Sequence, residues 1–320
     1  MTDVLCFGEA LVDMRGESVA GRQVYIPQPG GAPANVAVGV ARLGGRAGFV
    51  GQVGADLFGS DIVKALVRHG VDVSLTRQTD DAMTALAFVS LDSQGERSFA
   101  FYRNETADLR FESRHCPDEA LESARIVHFC SNTLTEPAIR ETTFSLVRRA
   151  RAHGCLVSFD VNYRQPLWPE HEEPAPHILK AARLADIVKF SREELEAQFG
   201  EGADLSADLL AEQVQLLLVS DGAGPLQVTT REQVFALFPP TVEARDTTAA
   251  GDSFVAGLLF HLVDQGVDAG ALSDWLRGPG NLESAVTFAS RCGAFAAMHY
   301  GAFDALPTLR QLQHLLPETI

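Results

Sequence analysis

The string Asp246-Thr-Thr-Ala-Ala-Gly-Asp252-Ser-Phe runs small residues into an apolar stretch, 249–265, that reads as a helix. Small side chains leave the successive backbone N–H groups of Ala249, Ala250 and Gly251 unobstructed at one spot. A helix start of that kind binds phosphate oxygens and stabilises charge that develops on them. Asp252 falls in the first turn, where the helix dipole keeps a carboxylate ionised. A proton acceptor beside an anion hole is what phosphoryl transfer to a hydroxyl requires. The same string also fits a plain Asp-capped helix start behind a tight turn. Far upstream, Gly30-Gly31-Ala-Pro-Ala-Asn35 opens a second helix. Its glycines let the backbone approach a ligand, and the Asn35 amide can both donate and accept toward hydroxyl groups. Taken alone, this string reads more simply as an ordinary Gly/Pro turn.

These residues need a scaffold, and the pattern supplies one. Residues 4–8, 47–53, 126–129, 155–160, 187–190 and 216–219 are short apolar runs that read as buried strands. Helical patterns at 34–43, 57–68, 136–153, 177–184 and 282–299 lie between or after them, the alternation that parallel α/β sheets produce. Residues 84–91 and 98–102 instead read as a β-hairpin around Asp92-Ser-Gln-Gly-Glu96. Residues 228–230 and 234–237 form a second such pair. No internal repeat or long linker divides the chain. The expected fold is a single α/β domain, 1–320, with a doubly wound, mostly parallel sheet flanked by helices. A small β-sheet lid is expected from about 14–29 and 84–104.

Composition narrows the function. The 320 residues are 46% apolar and 21% charged, ordinary for a globular enzyme. A net charge of −16 argues against nucleic-acid or anionic-membrane partners, which need a basic face. The five cysteines (Cys6, Cys116, Cys130, Cys155, Cys292) never form C-x-x-C and read as buried free thiols of a reducing compartment. No run approaches the ~18 uncharged residues of a membrane span, and the opening residues lack a signal-peptide layout. The expected location is cytoplasmic. Neither a phosphate-binding G-x-x-x-x-G-K-[ST] nor a dinucleotide G-x-G-x-x-G is present. His171 and His177 flank Glu172-Glu173 in a solvated Pro-rich loop, which is poor zinc-site chemistry.

Together the two Gly-rich strings resemble the signatures of the ribokinase-like (PfkB) carbohydrate kinases, closest to bacterial fructokinases. The first is the Gly-Gly…Asn-Val-Ala…Leu-Gly block, here residues 30–44; the second is D-T-x-x-A-G-D, here residues 246–252. The resemblance runs from Phe7-Gly-Glu-Ala-Leu-Val-Asp13 to Gly301-Ala-Phe-Asp-Ala-Leu-Pro307. It implies that Asp252 takes the proton from a sugar hydroxyl and that the N–H groups of Ala249, Ala250 and Gly251 form the anion hole. Asp13, Gly30, Gly31 and Asn35 are then expected to hold the sugar. Lys189, Ser191, Ser220, Gly222, Gly224 and Ser290 are expected around ATP. Glu194 would order Mg²⁺ through water, and Asp246 with Thr248 would form a K⁺ site. Two positions depart from the family pattern. Ser191-Arg-Glu-Glu194 stands where N-x-x-E is usual, and the nucleotide turn carries Asp221 and Pro225.

Within the family, Phe101-Tyr-Arg103-Asn-Glu-Thr-Ala-Asp108 and Asp160-Val-Asn162-Tyr-Arg164 look most like fructokinases. Arg103 is expected to leave the lid hairpin and reach over the sugar, with Asn162 and Arg164 on a loop after a strand end. The same elements occur in 2-keto-3-deoxygluconate kinases, where the cations would meet a carboxylate. A non-catalytic sugar-binding sensor on the same fold is the alternative from another class. Phe88, Phe99 and Phe101 on the hairpin suggest that two copies pair lid to lid as a homodimer.

Overall fold

The computed structural model describes residues 2–91 and 97–315. In chain order the first strands are β1 (Val4–Phe7), β2 (Leu11–Val19), β3 (Arg22–Gly30), β4 (Ala47–Gly54), β5 (Thr76–Thr79), β6 (Leu86–Leu91) and β7 (Arg97–Tyr102). They are followed by β8 (Ile126–Cys130), β9 (Leu156–Asp160), β10 (Ile187–Ser191), β11 (Leu216–Ser220), β12 (Leu226–Thr229) and β13 (Val234–Leu237). The helices are α1 (Ala32–Arg42), α2 (Leu57–Arg68), α3 (Asp118–Ser123), α4 (Pro137–Ala152), α5 (Pro174–Ala182) and α6 (Arg192–Phe199). Then come α7 (Ser206–Leu210), α8 (Ala250–Asp264), α9 (Leu272–Arg277), α10 (Asn281–Ala297) and α11 (Leu309–Leu315).

Nine strands form one sheet in the order β13-β12-β11-β10-β9-β8-β1-β4-β5. It is parallel from β11 to β5, and only the β12 and β13 edge is antiparallel. Every residue of β1, β4, β8 and β9 is buried, as expected of strands covered on both faces. One face packs Val36, Val40, Leu258 and Val286 of α1, α8 and α10. The other packs Ile139, Val147 and Ile178 of α4 and α5, with Phe129 stacked on Phe159 at 4.7 Å. The chain winds outward from β1 to β4 and β5, then returns to β8 and winds the other way. That reversal leaves a crevice beyond the carboxyl ends of β1 and β8, where ligands of such sheets bind.

Beside this crevice stands a second sheet, in the order β3-β2-β6-β7. β2 and β3 pair over nine residues, from Leu11↔Gly30 to Val19↔Arg22. β6 and β7 pair antiparallel, as the hairpin pattern predicts, while the turn at 92–96 and the Phe99 side chain lie outside the described residues. β2 also pairs with β6 in parallel, a non-local contact without local signal. The pattern did not foresee β5, α3, α6, α7, α9 and α11, which are too short for periodicity to declare. No described helix is long and apolar enough to cross a membrane. All five cysteines are free and buried.

Candidate active site

The start of α8 comes from the first string singled out in the sequence. Ala249 caps it in the left-handed region, at φ 57°. A non-glycine residue there stores local strain, which clusters at functional sites. The first N–H groups of a helix lack intrahelical acceptors. Here the Ala250 N–H donates to Thr247 O at 3.2 Å, so Ala249 and Gly251 present the less committed donors. Asp252, buried in the first turn, accepts a 2.7 Å hydrogen bond from Asn35 Nδ2 across 217 positions of sequence. That bond joins the two strings. The Asn35 Oδ1 atom is buried with no protein donor.

Gly31 caps α1 at φ 108°, where a Cβ would lie 2.6 Å from Glu9 O. At Gly30 a Cβ would lie 2.5 Å from Asp13 Oδ2, so the turn closes on the Asp13 carboxylate only without side chains. Burial pushes Asp13 up to about 7, helped by the Asp252 and Asp246 charges and opposed by Arg164. Burial likewise pushes Asp252 up to about 7, with the Asn35 bond opposing it and Asp160 adding to it. The carboxylates of Asp13, Asp252 and Asp246 thus share one electrostatic neighbourhood.

Next to it opens a cavity of about 340 Å³, mainly apolar. Leu226, Pro239, Pro240, Val242 and Phe254 line it, together with Ser220, Gly222, Gly224 and Ser290. Lys189 and Gly251 also line it. Asp221 is exposed and lines the same cavity beside Gly222 and Gly224.

Ser191 resolves its own departure from the family pattern. It caps α6 by accepting the Glu194 N–H at 3.1 Å, and the Glu194 carboxylate accepts the Ser191 N–H at 2.8 Å. Ser-x-x-Glu is a capping box, a signal legible in the sequence. The same carboxylate accepts the Tyr163 N–H at 3.0 Å and lies 4.0 Å from Arg164. Burial raises its pKa against the pull of Lys189. Asp246 is buried and accepts the Thr248 N–H at 2.9 Å and the Gly301 N–H at 3.1 Å. Among the described residues no cluster of three His, Cys, Asp or Glu is placed to hold a metal.

Arg103 corrects an expectation. It does not reach out over the crevice but is buried, with Nε on Asp108 Oδ2 at 2.6 Å, Nη1 on Thr135 Oγ1 at 3.1 Å and Nη2 on Asn132 O at 2.9 Å. A guanidinium held by a carboxylate in the interior gives up far more on leaving than one exposed hydrogen bond returns. Asn132 in turn donates to buried Glu9 at 2.9 Å, and Glu9 also accepts the Ala32 N–H at the start of α1. Neither Glu9 nor Asn132 was singled out from sequence, because nothing local marks them. Asn162 is buried at φ 40°, and Arg164 on the same loop is half-exposed, facing Asp13 and Asp252. Asp160, unremarked beyond its string, pairs with Lys189 at 2.8 Å.

Residues 1–309 match the pfkB family of carbohydrate kinases. Probable fructokinase-7 of Arabidopsis thaliana is 38% identical over 327 residues, covering 99% of this chain and 93% of its own length. The crystal structure of a Xylella fastidiosa fructokinase with bound ATP superimposes with a TM-score of 0.92 at 44% identity, covering 97% of this chain and 96% of that one. A double-mutant fructokinase of Vibrio cholerae O395, in fructose, ADP and potassium ion bound form, gives 0.85 at 35% identity, covering 98% and 97%.

Proposed function

This chain belongs to the pfkB family of carbohydrate kinases, and from that premise we propose that it is a fructokinase, transferring the γ-phosphoryl group of ATP to the primary hydroxyl that yields fructose 6-phosphate. The observation that carries the reading is the 2.7 Å bond from Asn35 to Asp252, which sets a hydroxyl-reading amide beside a buried base at a helix N-terminus. Relatives named fructokinase support the choice of sugar.

In this mechanism Asp13, Gly30, Gly31, Asn35 and Asn162 hold the sugar, and Arg164 offers a cation at its edge. Burial raises the pKa of the base to about 7, the range in which a general base serves near neutral pH. Asp252 accepts the hydroxyl proton as the sugar oxygen bonds to the γ-phosphorus and the bond to the ADP oxygen breaks. The N–H groups of Ala249, Ala250 and Gly251 neutralise the charge in transfer. Ala250 would exchange its long bond to Thr247 for one to the phosphoryl oxygen. The apolar cavity suits the adenine and ribose, between Ser220, Gly222, Gly224 and Ser290.

A single buried carboxylate, Glu194, fits a Mg²⁺ ion held mainly by nucleotide phosphates and water, the usual manner of that ion. When bound, it would offset phosphate charge. The oxygen donors of Asp246 and Thr248 suit K⁺ in kind. With Arg103 committed to Asp108, Arg164 is the cation left facing Asp13 and Asp252, which favours a neutral sugar over 2-keto-3-deoxygluconate. The four-stranded sheet is the lid over this single-domain site, and its outer face is where two chains pair.

A coupled ADP-release assay with fructose, 2-keto-3-deoxygluconate, ribose and adenosine tests the reading. Fructose is expected to give the highest kcat/KM. A preference for the acid sugar by orders of magnitude would replace it, and no turnover with any sugar would favour a sensor.

A further inference from the structure

β3 reads Arg-Gln-Val-Tyr-Ile-Pro-Gln-Pro-Gly and forms one edge of the four-stranded sheet. Pro27 and Pro29 lack N–H donors and have a fixed φ, which an edge strand tolerates. They stiffen the backbone on both sides of Gln28. Gln28 stands directly opposite Asp13 on β2. Residues paired in that way project from the same face, so the Gln28 side chain lies on the inner face with Asp13. Tyr25, three positions earlier, falls on the outer face with Phe88. A long amide is therefore aimed inward from a stiff edge.

What it meets is the segment that follows α10. Where a Cβ on Gly301 would stand, Nε2 and Oε1 of Gln28 are each 3.4 Å away, so the amide lies against the Gly301 backbone. The two neighbours of Gly301 also meet this sheet. Arg15 shares the inner face with Asp13, and its guanidinium carbon lies 5.8 Å from the centre of the Tyr300 ring. The Ala302 Cβ is 3.5 Å from where a Cβ on Gly30 would stand. On its other side the segment is tied to the string that opens α8. The Gly301 N–H donates to Asp246 Oδ2 at 3.1 Å, and Asp246 Oδ1 accepts the Thr248 N–H at 2.9 Å. The Asp246 N–H donates to Ala297 O at 3.1 Å, and Thr247 O accepts the Ala250 N–H. Residues 300–302 thus stand between the small sheet and the N-terminus of α8.

Donors that stabilise a transition state must be held within about 0.5 Å of their working positions. The start of α8 does not hold itself, because Ala249 sits at φ 57° and such a conformation persists only where its surroundings impose it. We propose that Gln28 is a positioning residue that braces Gly301 and, through the Gly301–Asp246 bond, holds the start of α8 in register with the phosphoryl group in transfer. This rests on the kinase reading and deepens it. Gln28 takes no proton and reads no sugar hydroxyl. Its role is steric, filled by the packed length of the side chain.

Gln28→Ala removes the brace, and Gln28→Met restores its length without its hydrogen-bonding groups. Gln28 is half-buried on an edge strand, so both variants leave the core intact. With fructose and ATP, kcat of Gln28→Ala should fall about 10- to 100-fold, the scale of a misplaced catalytic group. The fructose KM should stay within about threefold of wild type, and Gln28→Met should return kcat to within about threefold. A fructose KM raised in both variants overturns the assignment, because that marks an amide that reads a hydroxyl. Wild-type kcat in Gln28→Ala overturns it too, as does a loss of kcat that Gln28→Met fails to restore. Amide hydrogen exchange gives a readout that needs no turnover. The Gly301 N–H should lose protection in Gln28→Ala and keep it in Gln28→Met. Should the wild-type chain phosphorylate none of the sugars, the kinase reading falls on its own, and exchange alone decides the brace. Equal Gly301 protection in all three chains overturns it.

Discussion

The two sheets are built from the same kinds of residue yet treat their faces differently. The nine-stranded sheet is covered by helices on both sides, and β1, β4, β8 and β9 are buried throughout. In the four-stranded sheet each face has its own task. Asp13, Ala87 and Phe101 share a register and face inward, with Leu11, Ala85 and Ala87 forming a small cluster against Phe101. The opposite face carries Phe88 edge-on to Tyr25 at 5.1 Å and to Tyr102 at 5.2 Å. Tyr25 and Tyr102 are 44% and 64% exposed there. The large sheet therefore supplies stability and a rigid rim beside Asp252, while the small sheet supplies the Asp13 carboxylate on one face and an uncovered aromatic face on the other. Chemistry and assembly should then be separable by mutation.

The largest effect belongs to the large sheet's side. Asp252→Asn should lower kcat by about 10²–10⁴-fold while ATP binding persists, the usual weight of a positioned base. A variant keeping a third of wild-type turnover would remove Asp252 from that role. On the small sheet, Gly30→Ala puts a Cβ at 2.5 Å from Asp13 Oδ2 and must displace the carboxylate. The sugar KM should rise about 10- to 100-fold, one hydrogen bond to a charged group, with nucleotide affinity unchanged. Equal losses for sugar and nucleotide would erase the division between the sheets.

The outer face gives a smaller, all-or-none readout. A homodimer near twice 34.5 kDa is expected by light scattering without ligands, and Phe88→Glu should reduce it to single chains. Register places Phe101 inward, so Phe101→Glu should disturb sugar binding more than assembly. A wild-type mass of one chain would refute the pairing.

The pH dependence is the subtlest test. Asp252 must be ionised to accept a proton, so kcat/KM should fall as pH drops below about 7. Its folded pKa is raised above the ordinary aspartate value of 3.8, so the native state binds more protons than the unfolded chain between those values. Stability from this group is therefore lost as pH rises from about 4 to about 7. Asp252→Asn should accordingly raise Tm at pH 8 and have little effect near pH 4. A lower Tm at pH 8 would show that the charge is compensated rather than strained.

Much of this was open to reading in the chain itself. Apolar runs alternating with helical patterns are local, and they declare a parallel α/β sheet because side-chain period follows backbone geometry. The two small-residue strings are also local, since a helix start that admits an anion needs glycine and alanine at consecutive positions. Ser191-Arg-Glu-Glu194 carries the pattern of a helix cap, although the resemblance marks it only as a departure from N-x-x-E and periodicity does not foresee α6. What tertiary structure alone decided is which of these pieces meet. Asn35 and Asp252 are 217 positions apart, and β2 finds β6 in parallel, although neither contact leaves a local trace. Arg103 could bond a sugar or a carboxylate equally well by type. Folding placed Asp108, Thr135 and the Asn132 carbonyl around it, and a buried charge stays with the partners that offset its desolvation. Lys189, expected around ATP from the resemblance, gains its setting only when β9 sets Asp160 opposite and α8 brings Gly251 alongside. Sequence determines the pieces through short-range sterics and periodicity, whereas desolvation, pairing and raised pKa values exist only once distant segments share the same dry space.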